Sequence, residues 1–417
     1  MKELRFTNLP IVIENNNFDT IDFVIMFPYK NEFKHIFDLL LIKQLVTNTS
    51  LEFKTELEFK KEILKNMIIN YSVRTIKYNK NLYLEFDLTV PSPKRVKSFS
   101  LQKAIDFFIN NIYKPNIQEE GFNQYQFNRE KDYIDRKIKN NNKQIYRYSY
   151  QQFIDICDEN GILKNNIYNN LDLLEKTNSK DLYAYYKKLV INNEPLCYVY
   201  GDITEEELNK LNNPFFKKEK KDIIIKKDYY LPLIPKKEVK VVEEVKDYNQ
   251  SALYMAYKVE NMTEEDKYLL SLLVNILDCP ENDLIFKALR IDNNLVYGSY
   301  VNSHMKNGLF YIEAYLNKTS KDKAIEAIKN VLESLKDKNK VETYINKLLV
   351  GIKYDLIRKK DSKYAKLSDY INKSLEFTYS LEDLYDAYLK ITPLDFVNFL
   401  NRVKLDTIYF LRGENND

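Results

Sequence analysis

Apolar positions fall in the same order twice along the chain, once in each half, so an internal repeat organises the sequence. In the first half IDFVIMF (21–27) reads as a buried strand, and EFKHIFDLLLIKQLV (32–46) then places apolar residues at helical spacing. The second half opens alike, with SALYMAYKV (251–259) followed by KYLLSLLVNIL (267–277). Each half continues with a hairpin pattern. SVRTIKYNKNLYLEFDLTV (72–90) turns around Asn79, Lys80 and Asn81, and VYGSYVNSHMKNGLFYIEAYL (296–316) around Lys306, Asn307 and Gly308. Amphipathic helices at LQKAIDFFINNIY (101–113) and KDKAIEAIKNVLESLK (321–336) come next. Both halves close on a strand ending in glycine, PLCYVYG (195–201) and TIYFLRG (407–413).

Two such series predict an α+β protein of two homologous domains, each a largely antiparallel sheet with helices packed on one face. The expected domains are residues 1–215 and 249–417, and a length of 417 residues suits two of them. Residues 216–248 read as the linker, because Pro232 and Pro235 stand there among lysine-rich runs. The acidic residues scattered through 217–221 and beyond make those lysines a solvated segment rather than an anion site.

Charge narrows the partners. Lys and Arg number 64 against 61 Asp and Glu, a net charge of +3, so neither nucleic acid nor an anionic membrane is expected to bind on electrostatic grounds. No run nears the roughly 20 apolar residues of a membrane span, and the start, MKELRFTNLP, lacks a secretory apolar stretch. The expected location is the cytoplasm. Cys157, Cys197 and Cys279 form no C-x-x-C pair and read as buried reduced thiols.

The segment DLIFKALRIDNNLVYGSYVNSHMKNGLFYIEAYL (283–316) resembles the C-terminal-domain signature of the pitrilysin/insulinase peptidases, the inverzincins. There, Phe-x-x-(Leu/Ile)-Arg is followed by Leu-x-Tyr and a Gly-Leu-Phe strand; here these are Phe286, Leu289, Arg290, Leu295, Tyr297, Gly308, Leu309 and Phe310. NREKDYIDRKI (128–138) with the later YSYQQF helix resembles the YmfF-type inactive subgroup of that family. The resemblance spans nearly the whole chain and implies the pitrilysin/LuxS-like metallopeptidase fold.

Active members of the family carry H-x-x-E-H on the first helix, because two histidines one turn apart can share a zinc ion whose bound water the glutamate activates. This chain has two histidines, His35 and His304, 269 positions apart, which excludes that site. The degenerate match is His35 and Asp38, with Leu39 where the second histidine belongs; another register places Leu39, Ile42 and Lys43 there. Glu130 matches either the third ligand or a supporting carboxylate, and read structurally it is a helix-surface glutamate paired with Lys131 or Arg136. No metal, no cofactor and no catalytic residue in isolation are expected; an active peptidase with an unorthodox metal site is the minority reading.

Arg290 and Tyr297 can both donate hydrogen bonds to a peptide carbonyl or a developing oxyanion. In the family the corresponding pair lies on the C-terminal domain and reaches across a closed chamber toward the zinc site on another domain. The resemblance therefore implies the noncatalytic subunit of a heterodimeric zinc metallopeptidase, with a zinc-bearing paralogue as partner and a peptide as substrate. The plain structural alternative is an arginine paired with Asp283 or Asp292 and a core tyrosine. The other function is a peptide-binding or scaffold protein without proteolysis, linked through the YmfF-type resemblance to translation-factor modification. Peptide capture on a sheet edge would fall to the first hairpin or to strand 21–27.

Overall fold

The structure, a computed structural model, describes residues 3–30, 35–78, 81–141, 143–159, 161, 163, 171–226, 231–375 and 380–414. The expected turn residues Asn79 and Lys80 and the start of the first expected helix, 32–34, lie outside the described residues. The chain divides into two compact units, one of Met1–Lys139 with Asn166–Tyr229, the other of Asn140–Asn165 with Tyr230–Asp417.

The first unit holds β1 (Glu3–Thr7), β2 (Ile11–Glu14), β3 (Thr20–Lys30), β4 (Asn70–Tyr78), β5 (Asn81–Pro91), β6 (Ile117–Gln118), β7 (Gly121–Phe122), β8 (Leu196–Gly201) and β9 (Asp222–Lys226). The second holds β10 (Lys240–Lys246), β11 (Ser251–Val259), β12 (Val296–His304), β13 (Leu309–Leu316) and β14 (Val403–Gly413). The main sheets run β2-β8-β3-β5-β4 and β10-β14-β11-β13-β12. In each, the first pair is parallel and the rest antiparallel. The repeat read from the sequence is thus the same strand order twice, in an α+β protein of two mostly antiparallel sheets.

Alternation explains the layers. Phe23, Ile25 and Phe27 of β3 and Leu84, Phe86 and Leu88 of β5 point to one side, where helices Ile36–Thr47 and Leu101–Tyr113 close the first core. Leu253 and Met255 of β11 do the same beneath helices Asp266–Leu277, Lys321–Ser334 and Pro393–Asn401. The closing glycines have a shared cause in close backbone approach. A Cβ on Gly201 would stand 2.4 Å from the Thr20 carbonyl oxygen, and one on Gly413 2.4 Å from that of Tyr248.

Two features differ from the sequence reading. Helix Ile145–Cys157, carrying the YSYQQF segment, was expected in the first domain, yet it packs on the other face of the second sheet, against Ala252, Tyr254, Tyr311 and Tyr409. Phe153 stacks on Tyr254 at 4.8 Å, and Ser149 Oγ lies 3.0 Å from the Tyr254 hydroxyl. An amphipathic helix is compatible with any apolar sheet face, so its pattern does not name the sheet it covers. Residues 216–248, expected as linker, contribute β9 to a two-stranded sheet with β1, and β10 to an edge of the second main sheet. There Val242 and Glu244 are half-buried between exposed neighbours, the alternation of an edge strand rather than a loop.

The buried charge of the second unit lies where these segments meet. Asp406 is fully buried, with Lys236 Nζ and Lys258 Nζ each 3.1 Å from Oδ2. The Lys236 backbone N–H donates to Oδ1 at 2.7 Å, and the Thr407 hydroxyl to Oδ2 at 2.8 Å. Lys258 also donates to the Cys157 carbonyl at 3.0 Å, at the negative C-terminal end of the helix. Burial works to raise the Asp406 carboxyl, but these donors outweigh it and hold it below the usual carboxylate range. The three cysteines are free and buried. Among the described residues no helix is long and apolar enough to cross a membrane.

Candidate functional site

The first helix explains why the zinc-motif positions fail as ligands. Helix Ile36–Thr47 buries Phe37, Leu39, Leu41, Ile42, Leu45 and Val46, so the second register is core at Leu39 and Ile42. His35 sits at the N-cap, outside the helix proper. Its Nδ1 lies 2.5 Å from Asp38 Oδ2, and its ring stacks on Tyr185 at 4.2 Å and 11°. The Thr177 hydroxyl donates to Asp38 Oδ1 at 3.4 Å, and the carbonyls of Thr177 and Glu175 each accept from Lys131 Nζ at 2.8 Å. Burial lowers the Lys131 ammonium from its usual range.

Glu130 does not join this network. Its carboxylate takes Arg129, with Nε at 2.8 Å and Nη2 at 2.6 Å, rather than Lys131 or Arg136. Lys131, the neighbour on the other side, turns instead to the carbonyls just named. A catalytic zinc needs three protein ligands converging on one point. Here one candidate imidazole is committed to a carboxylate, the next position is a buried leucine, and the third carboxylate holds an arginine. These residues do not fit zinc, and among the described residues no group of three or more His, Cys, Asp or Glu could hold a metal.

Arg290 and Tyr297 flank the turn that enters β12, an edge strand. Arg290 follows the short helix Leu284–Phe286 in a π-helical turn, Lys287–Ile291, and is exposed. Its Nη1 donates to the Val296 carbonyl at 2.8 Å and to Asn294 Oδ1 at 2.9 Å, not to Asp283 or Asp292. Nε and Nη2 carry no hydrogen bond among the described residues. Tyr297 is 54% exposed, not a core tyrosine, and donates its hydroxyl to Asn317 Oδ1 at 2.6 Å. It is the extra residue of a β-bulge: Val296 opposes Leu316 and Gly298 opposes Tyr315. A bulge bends an edge strand and re-aims a side chain, which gives the tyrosine its outward direction. His304, at the far end of β12, stacks on Tyr311 at 6.2 Å.

Strand β3, a candidate for capturing an added strand, is paired on both sides, with β5 and β8. Its continuous apolar run is that of a strand buried on both faces. The edge of the first hairpin is β4.

That hairpin also holds a carboxylate pair. On the sheet face away from the first core, Glu85 and Asp87 of β5 oppose Arg74 and Ser72 of β4. Arg74 reaches both, at 2.6 Å to Glu85 and 3.0 Å to Asp87, and the Ser72 hydroxyl donates to Asp87 at 2.8 Å. Burial first, and then the Asp87 charge, push the Glu85 carboxyl up to about 8 against the pull of Arg74. The folded state therefore holds a proton that an unfolded glutamate, with its ordinary value of 4.5, releases. Stability from this site is greatest below about 4.5 and falls as pH rises toward 8. Glu85→Gln, which mimics the protonated form, is expected to flatten the fall of the urea midpoint between those values; an unaltered slope would show that Glu85 is ionised throughout.

Comparison with known proteins bears on both units. The family model described as the peptidase M16 inactive domain matches residues 176–348, a segment that includes Arg290 and Tyr297. The probable inactive metalloprotease YmfF of Bacillus subtilis (strain 168) is 20% identical over 336 residues, covering 79% of this chain and 78% of that protein. A conserved protein from Enterococcus faecalis V583 superposes with a TM-score of 0.82 at 18% identity, over 100% of this chain and 99% of that one. A peptidase M16 inactive domain from Pseudomonas fluorescens gives 0.72 at 11% identity, over 97% and 96%. The last two show the shared two-domain fold.

Proposed function

Because the chain is a homologue of the M16 peptidases that lacks their zinc-binding motif, we propose that it is the noncatalytic subunit of a heterodimeric peptidase, binding peptide and completing the partner's site with Arg290 and Tyr297. The observation that carries this reading is the state of Arg290. One guanidinium nitrogen is anchored to the Val296 carbonyl, which fixes the group in place, while the other two are uncommitted among the described residues. An anchored cation with spare donors suits a peptide carbonyl or an oxyanion, because its reorganisation has already occurred. The partner is a paralogous chain with an intact H-x-x-E-H. Three buried unpaired thiols fit a reducing cytoplasm.

A second reading, peptide binding without cleavage, draws on Tyr297. Its single proton is given to Asn317, so the hydroxyl must turn away before it can serve a substrate. Mixing the purified chain with its zinc-bearing paralogue separates the two. The heterodimer account expects co-elution, with cleavage of an unstructured peptide appearing in the mixture and in neither chain alone. Peptide retention by this chain with no gain of cleavage on mixing would favour the second reading.

A further inference from the structure

A cleft of about 420 Å³ lies in the second unit, lined by the C-terminal half of helix Lys321–Ser334 with the turn after it, the end of helix Pro393–Asn401 and the first residues of β14. That volume falls within the range of about 300–1,000 Å³ usual for small-ligand sites and is too small for a macromolecule. Its chemistry is divided. Leu332, Leu400 and Leu405 give it an apolar wall continuous with the second core, completed by Tyr257, whose ring stacks on Phe310 at 5.0 Å and 9°. The Tyr257 hydroxyl is buried with no hydrogen-bond partner among the described residues.

The polar part of the lining is cationic. Lys329, Lys336 and Lys404 line the cleft with one carboxylate, Glu333, which lies 2.7 Å from Lys336 and neutralises it. Lys404 is held near the cleft by the Asn401 carbonyl at 3.0 Å, with Glu260 no closer than 3.9 Å. Lys329 is exposed and makes no ion pair or hydrogen bond among the described residues. Lys329 is thus left without a counter-charge among the described residues, and Lys404 with only a long ion pair to Glu260 at 3.9 Å, beside an apolar wall. A neutral apolar ligand would leave them unmatched, and a compact inorganic anion would leave the wall in water.

We propose that this cleft binds one amphipathic anion, its carboxylate or phosphate head against Lys329 and Lys404 and its acyl or aryl body against Leu332 and Leu405. None of these residues belongs to the Arg290 and Tyr297 site, so this binding stands or falls independently of the subunit's role in cleavage. The test is calorimetric titration of the full chain with monomeric dodecanoate and with dodecyl phosphate, with inorganic phosphate and methyl dodecanoate as comparisons. Saturable binding of one equivalent is expected for both amphipathic anions, with the stronger of the two identifying the head. Lys329→Glu combined with Lys404→Glu should weaken it at least tenfold without shifting the unfolding midpoint, and Lys329→Gln with Lys404→Gln should weaken it less. The proposal is overturned by an absence of saturable binding. It is also overturned by equal binding of methyl dodecanoate or inorganic phosphate, or by affinity unchanged in both double variants.

Discussion

Arg290→Ala is expected to slow peptide cleavage by the reconstituted pair by an amount equivalent to about 2 to 4 kcal/mol of transition-state stabilisation, while co-elution with the paralogue persists. The guanidinium is exposed and preset by the Val296 carbonyl, which leaves Nε and Nη2 as spare donors among the described residues. Tyr297→Phe should cost less. Its proton must leave Asn317 before it can serve an oxyanion, and that exchange offsets part of the gain. Cleavage rate and elution volume are measured together. Unchanged cleavage in both variants rejects the completion role, and loss of co-elution reassigns the pair to assembly.

Asp406→Asn should destabilise the second unit by about 3–5 kcal/mol, because it leaves Lys236 and Lys258 as buried or half-buried cations without their counter-charge. The effect should fall first on the segments that the cluster joins: β14, the strand of Lys258, the segment of Lys236 and the helix ending at Cys157. Since the folded carboxyl is held below its usual range, the cluster's contribution is present above the ordinary value of 3.8 and is lost as pH falls through the folded one. The urea midpoint of the second unit and amide exchange in helix Ile145–Cys157 read this out. Adding Lys258→Met should recover part of the loss, because it removes one of the stranded charges; an exchange rate unaffected by Asp406→Asn would show that the helix is held by its apolar face alone.

What the sequence shows and what it hides follow from the range of the interactions. The strand order repeats because each half carries the same local signals: a two-fold alternation around a polar turn, helical spacing after it, and a glycine where the backbone passes too close for a side chain. The apolar run Phe23 to Phe27 marked β3 as a buried strand, but its central place was not legible: strand 21–27 was a candidate edge, and it is paired on both sides. The acidic face of β5 was missed, although Glu85 and Asp87 alternate there with Leu84, Phe86 and Leu88. The docking of helix Ile145–Cys157 was not legible, because it depends on contacts such as Ser149 with Tyr254, 105 positions apart. Lys236 meets Asp406 across 170 positions, and no local pattern links them. Arg290 lies between: its type and spacing mark it for attention, but only the structure shows that its partner is a backbone carbonyl and not Asp283 or Asp292.

The central proposal is that this chain, which has the two-domain fold of the M16-like peptidases, neither binds zinc nor cleaves peptide by itself. It is tested most directly by metal analysis of the purified chain after dialysis against zinc-containing and then zinc-free buffer, with peptide cleavage assayed on the same sample. The account predicts far less than one zinc per chain and no cleavage above background, since His35 is bound to Asp38, Leu39 is core and Glu130 holds Arg129. One retained zinc per chain together with cleavage that a chelator abolishes would contradict it.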